Sequence, residues 1–185
     1  MRNKKYPSKI SEESVSIRAI KRVYQELSGI RNNTLTPKDI YDIAEGIKEG
    51  DKYAAIESFN ELGMVAGNAI ASALNIVDGI VVIGGGISGA SKYILPSLIK
   101  ELRSELFTFS GESFPCVQMD VYNWEDDNDR KQFLAPQNKE IYIYGTNKRT
   151  PYNISKRIAV MCSVNGTSVS IMRGAYAYAL SQIDS

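Results

Sequence analysis

Histidine is absent from the sequence. Without an imidazole, neither a Ser-His-Asp nor a Cys-His triad can be assembled within the chain, and imidazole-based general catalysis or metal binding is excluded. Cysteine is nearly as scarce. Cys116 and Cys162 lie far apart and form neither a C-x-x-C pair nor a disulfide framework. Such usage fits a reduced, cytoplasmic setting, with both thiols serving as small buried apolar groups. No run of about 18 apolar residues occurs. The basic start of Arg2, Lys4 and Lys5 leads into Tyr6-Pro7-Ser8 rather than an apolar stretch. The sequence therefore predicts neither export nor a membrane span. A dominant charge is missing too: 22 Lys and Arg against 21 Asp and Glu leave a net +1. No overall field draws the chain to nucleic acid or an anionic membrane, so any binding function must come from a local site.

What is present is a globular chain of 185 residues, long enough for one domain or one lobe with an insertion. Residues 11–27 repeat Val15, Ala19, Ile20, Val23, Tyr24 and Leu27 at helical spacing. Thr36 and Pro37 form an N-cap and first-turn pair that opens a short second helix. Residues 51–77 make the longest periodic segment, with Gly63, Gly67 and Ala71 forming a thin ridge four residues apart. Glycine inside a helix costs about 1 kcal/mol, so that ridge reads as close packing against a neighbour. The run Ile80-Val81-Val82-Ile83 reads as a strand buried on both faces. Gly84-Gly85-Gly86 follows it, and then a helix over residues 91–106.

Beyond Gly111 the pattern predicts strands over 116–122, 141–144 and 158–164, a short acidic helix or loop over 124–133, and a helix over 168–183. Glu125, Asp126, Asp127 and Asp129 lack the glycine and terminal glutamate of a calcium loop and read as a solvated helix start. Lys148, Arg149, Lys156 and Arg157 read as an exposed basic face, and Tyr142, Tyr144, Tyr176 and Tyr178 as half-buried packing.

The glycine turn is the one local feature with chemical content. Gly84, Gly86 and Gly89 meet the spacing G-x-G-x-x-G, but three helices precede the strand. Where a dinucleotide fold would place its acidic ribose ligand, this chain has Phe109-Ser110-Gly111. No lysine followed by serine or threonine closes the turn as in a Walker A loop. Gly86-Ile87-Ser88-Gly89-Ala90 ends in alanine where a nucleophile elbow has glycine, and there is no histidine base. Two readings stay open. The glycines expose backbone N–H groups to a flat ring or phosphate, with Ser88 adding a hydroxyl, or they let the following helix cross the strand closely.

The residues 62–71, Asn75-Ile76-Val77-Asp78, and Ile80-Val81-Val82-Ile83-Gly84-Gly85-Gly86-Ile87-Ser88 are similar to the stretch that closes ROK-family proteins, bacterial sugar kinases and related repressors. Leu35-Thr36-Pro37-Lys38-Asp39-Ile40 and the Glu49-Gly50-Asp51 turn resemble that family's linking helices. The resemblance implies an α/β chain, the C-terminal lobe of an actin-like (ribonuclease H-like) ATPase fold, with helices packed on a mixed sheet. In that fold two lobes close on ATP and a sugar. The resemblance assigns the adenosine side of the cleft to Gly84, Gly85, Gly86 and Ser88, and implies ATP with magnesium as cofactor. The last helix, with Gly174 and Ala175, is similar to the family's closing helix, expected to pack beneath the nucleotide lobe.

The departures are equally informative. The chain has no Asp-x-Gly-x-Thr phosphate loop, no Asn-Asp pair within the stretches that match the family to supply a catalytic aspartate, and no cysteine-rich zinc motif. The expectation is a single lobe over residues 1–185 with an insertion at 114–155, no catalytic residues of its own and no zinc. Its partners would be an adenine nucleotide, a missing N-terminal lobe or a second copy, and a glucose-like sugar only in the completed protein. A non-catalytic interaction or regulatory module derived from that lobe is the alternative, and a dinucleotide oxidoreductase a third. No helix-turn-helix signal or basic face suits a repressor.

Overall fold

The computed structural model describes residues 1–31, 34–136, 139–152 and 155–183. Its helical layer follows from local chemistry. Helix α1 (Ile17–Ser28) begins where the Ser16 hydroxyl accepts from the Ala19 N–H and ends at Gly29, whose φ is 71°. Because Ser16 takes the cap, residues 11–13 form a separate 3-10 turn and the helix starts later than its periodicity predicts. Helix α2 (Pro37–Glu45) opens with a reciprocal capping box between Thr36 and Asp39 and stops at Gly46, φ 76°. Lys48 and Thr36 together hold the Asp39 carboxyl well below the usual carboxylate range. Asp51 caps the long helix α3 (Lys52–Leu74), and α4 (Ser91–Leu102) lies against it.

The small ridge of α3 serves that contact. A Cβ on Gly63 would sit 2.3 Å from the Ile94 carbonyl oxygen, and one on Gly67 2.8 Å from the Leu98 oxygen. Both obstacles are backbone, so neither can step aside. One core cluster joins Ile20, Tyr24, Ile40, Phe59, Leu62 and Ile94. A second joins Leu74, Leu98, Leu102, Val121, Ile158 and Val160 beneath the sheet.

The sheet has strands β1 (Val81–Ile83), β4 (Asp120–Asn123) and β7 (Arg157–Cys162) in the order β1-β7-β4, all parallel. Val81 pairs with Val160, and Val121 with Ile158. The remaining strands form two antiparallel hairpins, β2 (Glu105–Phe107) with β3 (Ser113–Pro115) and β5 (Glu140–Tyr142) with β6 (Arg149–Pro151). Helix α5 (Asp127–Leu134) covers the β4 end of the sheet, where Phe133 meets Tyr122 and Trp124 edge to face.

Several expectations fail here. β1 is not buried on both faces: Val82 is 57% exposed, because α5 does not reach that end of the sheet. Helix α4 stops at Leu102, and Leu106 becomes an exposed strand residue. The four tyrosines expected to be half buried, Tyr142, Tyr144, Tyr176 and Tyr178, are all exposed. Cys162 is only half buried, whereas Cys116 is buried. Helix α6 (Thr167–Ile183) does not pack beneath the lobe, since residues 168–183 are exposed along their length. Within 114–155, Cys116, Val117 and Val121 belong to the core and β4 to the sheet, while the β5–β6 hairpin stands clear.

The basic start of the chain has a structural role that periodicity could not reveal. Glu61 on α3, with 4% of its side chain exposed, receives Lys5 Nζ at 2.5 Å and Arg22 Nη2 at 3.1 Å. Glu101 on α4 receives Lys4 Nζ at 2.5 Å. Asn3 is buried and donates to the Ser14 hydroxyl at 2.8 Å. The first residues thus strap across both long helices. Replacing Glu61 with Ala removes its bonds from Lys5, Arg22 and the Ser14 hydroxyl, and urea denaturation should register a loss of about 2 to 3 kcal/mol. Gly63→Ala should cost about 1 to 3 kcal/mol in the same assay, because the clash is with the backbone of α4.

Candidate functional site

At the carboxyl end of β1 the chain passes through Gly84 and Gly85 into a 3-10 turn, Gly86–Ala90, which leads directly into α4. Gly85 adopts φ 101° and ψ 175°, a backbone region essentially confined to glycine. Its neighbours are different. A Cβ on Gly84 would make only ordinary contact, 3.7 Å from the Ser163 Cβ, and Cβ atoms on Gly86 and Gly89 would meet nothing within 4 Å. No described atom comes close enough to these three positions for a helix crossing to need glycine there. Ser88 closes the turn, its hydroxyl donating to the Gly85 carbonyl at 2.6 Å and its N–H to the same oxygen at 3.1 Å. The hydroxyl oxygen keeps acceptor capacity for an incoming donor.

The turn separates two depressions and Ile87 contributes to both. The wider, about 540 Å³, has Ala66, Ala69 and Ile70 of α3 as its floor beside Gly84, with Ser88 and Glu12 at its rim. The smaller, about 240 Å³, lies between Pro37, Lys38 and Tyr41 of α2 and Gly86 and Gly89 of the turn. Tyr41 stands edge-on to Phe59 at 6.4 Å and to Tyr93 at 6.1 Å, so its ring is held in place. Lys38 Nζ lies 5.8 Å from the Tyr41 ring centroid.

Helix α2 is also fixed to the start of α4. The Tyr93 hydroxyl donates to the Ala44 carbonyl at 3.1 Å, and Lys92 reaches Glu45 at 2.9 Å. The hydrogen bond from Lys92 holds the Glu45 carboxyl below its usual range. Burial, then the Glu45 carboxylate, raises the Tyr93 phenol. A depressed carboxylate stabilises the fold above its unfolded pKa, and that contribution is lost as pH falls through the folded value. The brace between α2 and α4 is therefore intact at neutral pH and weakens on acidification.

Gly84, Gly85, Gly86 and Ser88 are thus contiguous along one turn. Pro37, Lys38, Tyr41 and Glu12 join them through the fold, and none of these four was legible as a site residue. Thr36-Pro37 signals a helix start, but nothing in the sequence shows that its first turn faces the glycines. The small slot, with an aromatic ring, a proline and a lysine, suits a flat ring carrying negative charge nearby. Among the described residues no group of three or more His, Cys, Asp or Glu could hold a metal ion, and no helix is long and apolar enough to cross a membrane.

Helices layered on a parallel sheet, with a glycine turn leaving its first strand, define an α/β lobe of the actin-like ATPase type. A sequence profile of the ROK family matches residues 9–128. The crystal structure of a glucokinase from Parabacteroides distasonis ATCC 8503 superposes with a TM-score of 0.85 at 47% identity, covering 98% of this chain and 48% of that one. A putative sugar kinase from Cytophaga hutchinsonii ATCC 33406 aligns with a TM-score of 0.46 at 24% identity, over 55% of this chain and 35% of its own. No curated protein matches. The chain belongs to the ROK family and has the fold of a sugar-kinase lobe. It spans about half the length of the Parabacteroides glucokinase.

The two kinds of glycine give a direct test. Gly86→Ala should shift unfolding stability by less than about 0.5 kcal/mol, in contrast to Gly63→Ala, when both are measured by urea titration.

Proposed function

We propose that this chain is the nucleotide-binding, C-terminal lobe of a cytoplasmic ROK-type sugar kinase that phosphorylates a glucose-like sugar with ATP, and that it is inactive alone. The observation that carries the reading is the open space in front of Gly84, Gly86 and Gly89. Glycines that the fold itself does not require leave room for a ligand to lie against the backbone. The adenine ring occupies the slot beside Tyr41 and Pro37, and the ribose and phosphates run across Gly84, Gly85 and Gly86 past Ser88 toward the wider groove. Lys38, ion-paired with Asp42, lies beside that path. Magnesium, which neutralises phosphate charge in such reactions, arrives with the nucleotide; among the described residues no group of three or more His, Cys, Asp or Glu is arranged to hold it.

Phosphoryl transfer also needs a base to orient the sugar hydroxyl and groups to hold the terminal phosphates. The chain lacks the Asp-x-Gly-x-Thr loop, and the carboxylate of its one Asn-Asp pair, Asn128-Asp129, is taken up by Arg103 and the Asn123 N–H, so those parts come from a second lobe, in the same polypeptide or another. Glu12, at the rim of the wide groove, is placed to accept hydrogen bonds from sugar hydroxyls once that lobe closes. Ile171, Met172 and Leu180, all exposed on α6, offer that lobe an apolar surface. The same exposed helix favours a second reading, a non-catalytic interaction module.

Calorimetric titration separates the two. ATP with magnesium, and ADP, should bind saturably to the purified chain while NAD⁺ does not, and Gly86→Val should abolish the heat without lowering stability. No glucose-dependent ATP turnover is expected from the chain alone. A chain that binds no adenine nucleotide at millimolar concentration leaves the interaction module as the surviving reading.

A further inference from the structure

Helix α2 forms one wall of the slot, and its end is completed from outside. The last carbonyls of a helix find no partner within it. Those of Asp42 and Ile43 accept from the N–H groups of Ile47 and Gly46 just beyond the helix. The next carbonyl, of the fully buried Ala44, accepts instead from the Tyr93 hydroxyl at 3.1 Å. Tyr93 belongs to the first turn of α4, so this bond ties the end of α2 to the element that the glycine turn feeds.

The Tyr93 ring reinforces the tie. It stacks on Phe59 of α3 at 6.2 Å with 21° between the planes, and stands edge-on to Tyr41 at 6.1 Å. Since Tyr41 is also edge-on to Phe59, the three rings close a triangle in which each limits the movement of the other two. Tyr41 and Phe59 line the slot, whereas Tyr93 backs both of them from behind. Elsewhere α2 packs on α3 and α1. The Lys92 to Glu45 pair beside this bond has a largely exposed lysine and contributes little to holding α2 in place.

A flat base between two walls gains most when both walls touch its faces. A gap about 0.5 to 1 Å too wide forfeits roughly a quarter to a half of that attraction. We infer that Tyr93 is a positioning residue for the nucleotide base, holding Tyr41 and the end of α2 at the spacing from Gly86 and Gly89 at which a single flat ring fills the slot. The inference rests on the proposed nucleotide reading and goes beyond it in naming a residue that acts on the base without touching it. Phosphates that run along the turn toward the wide groove do not depend on the position of α2. Loss of Tyr93 is therefore felt by the base and not by the phosphates.

Calorimetric titration of the full chain with ATP and with inorganic tripolyphosphate, each with magnesium, tests it. Tyr93→Phe keeps the ring and removes the bond to Ala44, and ATP should bind about threefold more weakly. Tyr93→Leu removes the support behind Tyr41 as well, and the loss should reach about tenfold. Tripolyphosphate, which has the phosphates without a base, should bind both variants within about twofold of wild type. Ile158→Val, a mild truncation in the other core cluster, should lower urea stability and leave both affinities unchanged, which separates a lost base contact from lost stability. The inference is overturned if both Tyr93 variants bind ATP as wild type does. It is equally overturned if they lose tripolyphosphate as much as ATP, which marks a structural role alone. Either result leaves the nucleotide reading standing, whereas a wild-type chain that binds no ATP removes both.

Discussion

Everything near the site depends on the approach of α3 to α4. At Gly63 the two helices meet so closely that the Ile94 carbonyl occupies the space where any other side chain would begin. Gly67 repeats the arrangement one turn later against Leu98. Because α4 is held there, the turn that feeds it is held as well, and the glycines leaving β1 come to rest between α2 and α3. Both hydrophobic clusters take residues from this pair of helices, so loosening the contact would disturb the sheet and the α1–α2 layer together. The strap from Lys4 and Lys5 to Glu101 and Glu61 fastens the same two helices from outside.

The chain uses glycine in three ways. Gly63 and Gly67 admit a neighbouring backbone. Gly85 admits a conformation closed to other residues. Gly84, Gly86 and Gly89 require neither, and the space before them belongs to the groove on one side and the slot on the other. That division is what supports the proposed ligand surface at the turn, to which a capped helix brings Tyr41 and Lys38.

Much of this was legible in the sequence where local physics decides the outcome. Thr36-Pro37 marked a helix start because capping is a short-range interaction. The Gly63, Gly67 ridge announced close packing because glycine inside a helix needs a steric reason. The strand and its glycine turn were readable, and so was the family. What failed depended on distant partners. The apolar run 80–83 could not show that α5 covers only the β4 end of the sheet, and α6 could not show that this chain leaves its apolar residues uncovered. Alternating tyrosines looked like packing because periodicity records which residues share a face, not whether anything lies against it. Nothing in the sequence singles out Glu61 and Glu101, since their cations arrive from far along the chain. Tyr41 and Lys38 escaped notice for the same reason: only the fold brings the first turn of α2 beside the glycines.

The central claim is that a nucleotide lies across the turn leaving β1. Hydrogen–deuterium exchange of the chain, with and without ATP and magnesium, tests it most directly. The account predicts slowed exchange confined to residues 84–90 and 37–41, with α6 and both hairpins unchanged. Protection absent from the turn, or appearing only at surfaces remote from it, would contradict the account.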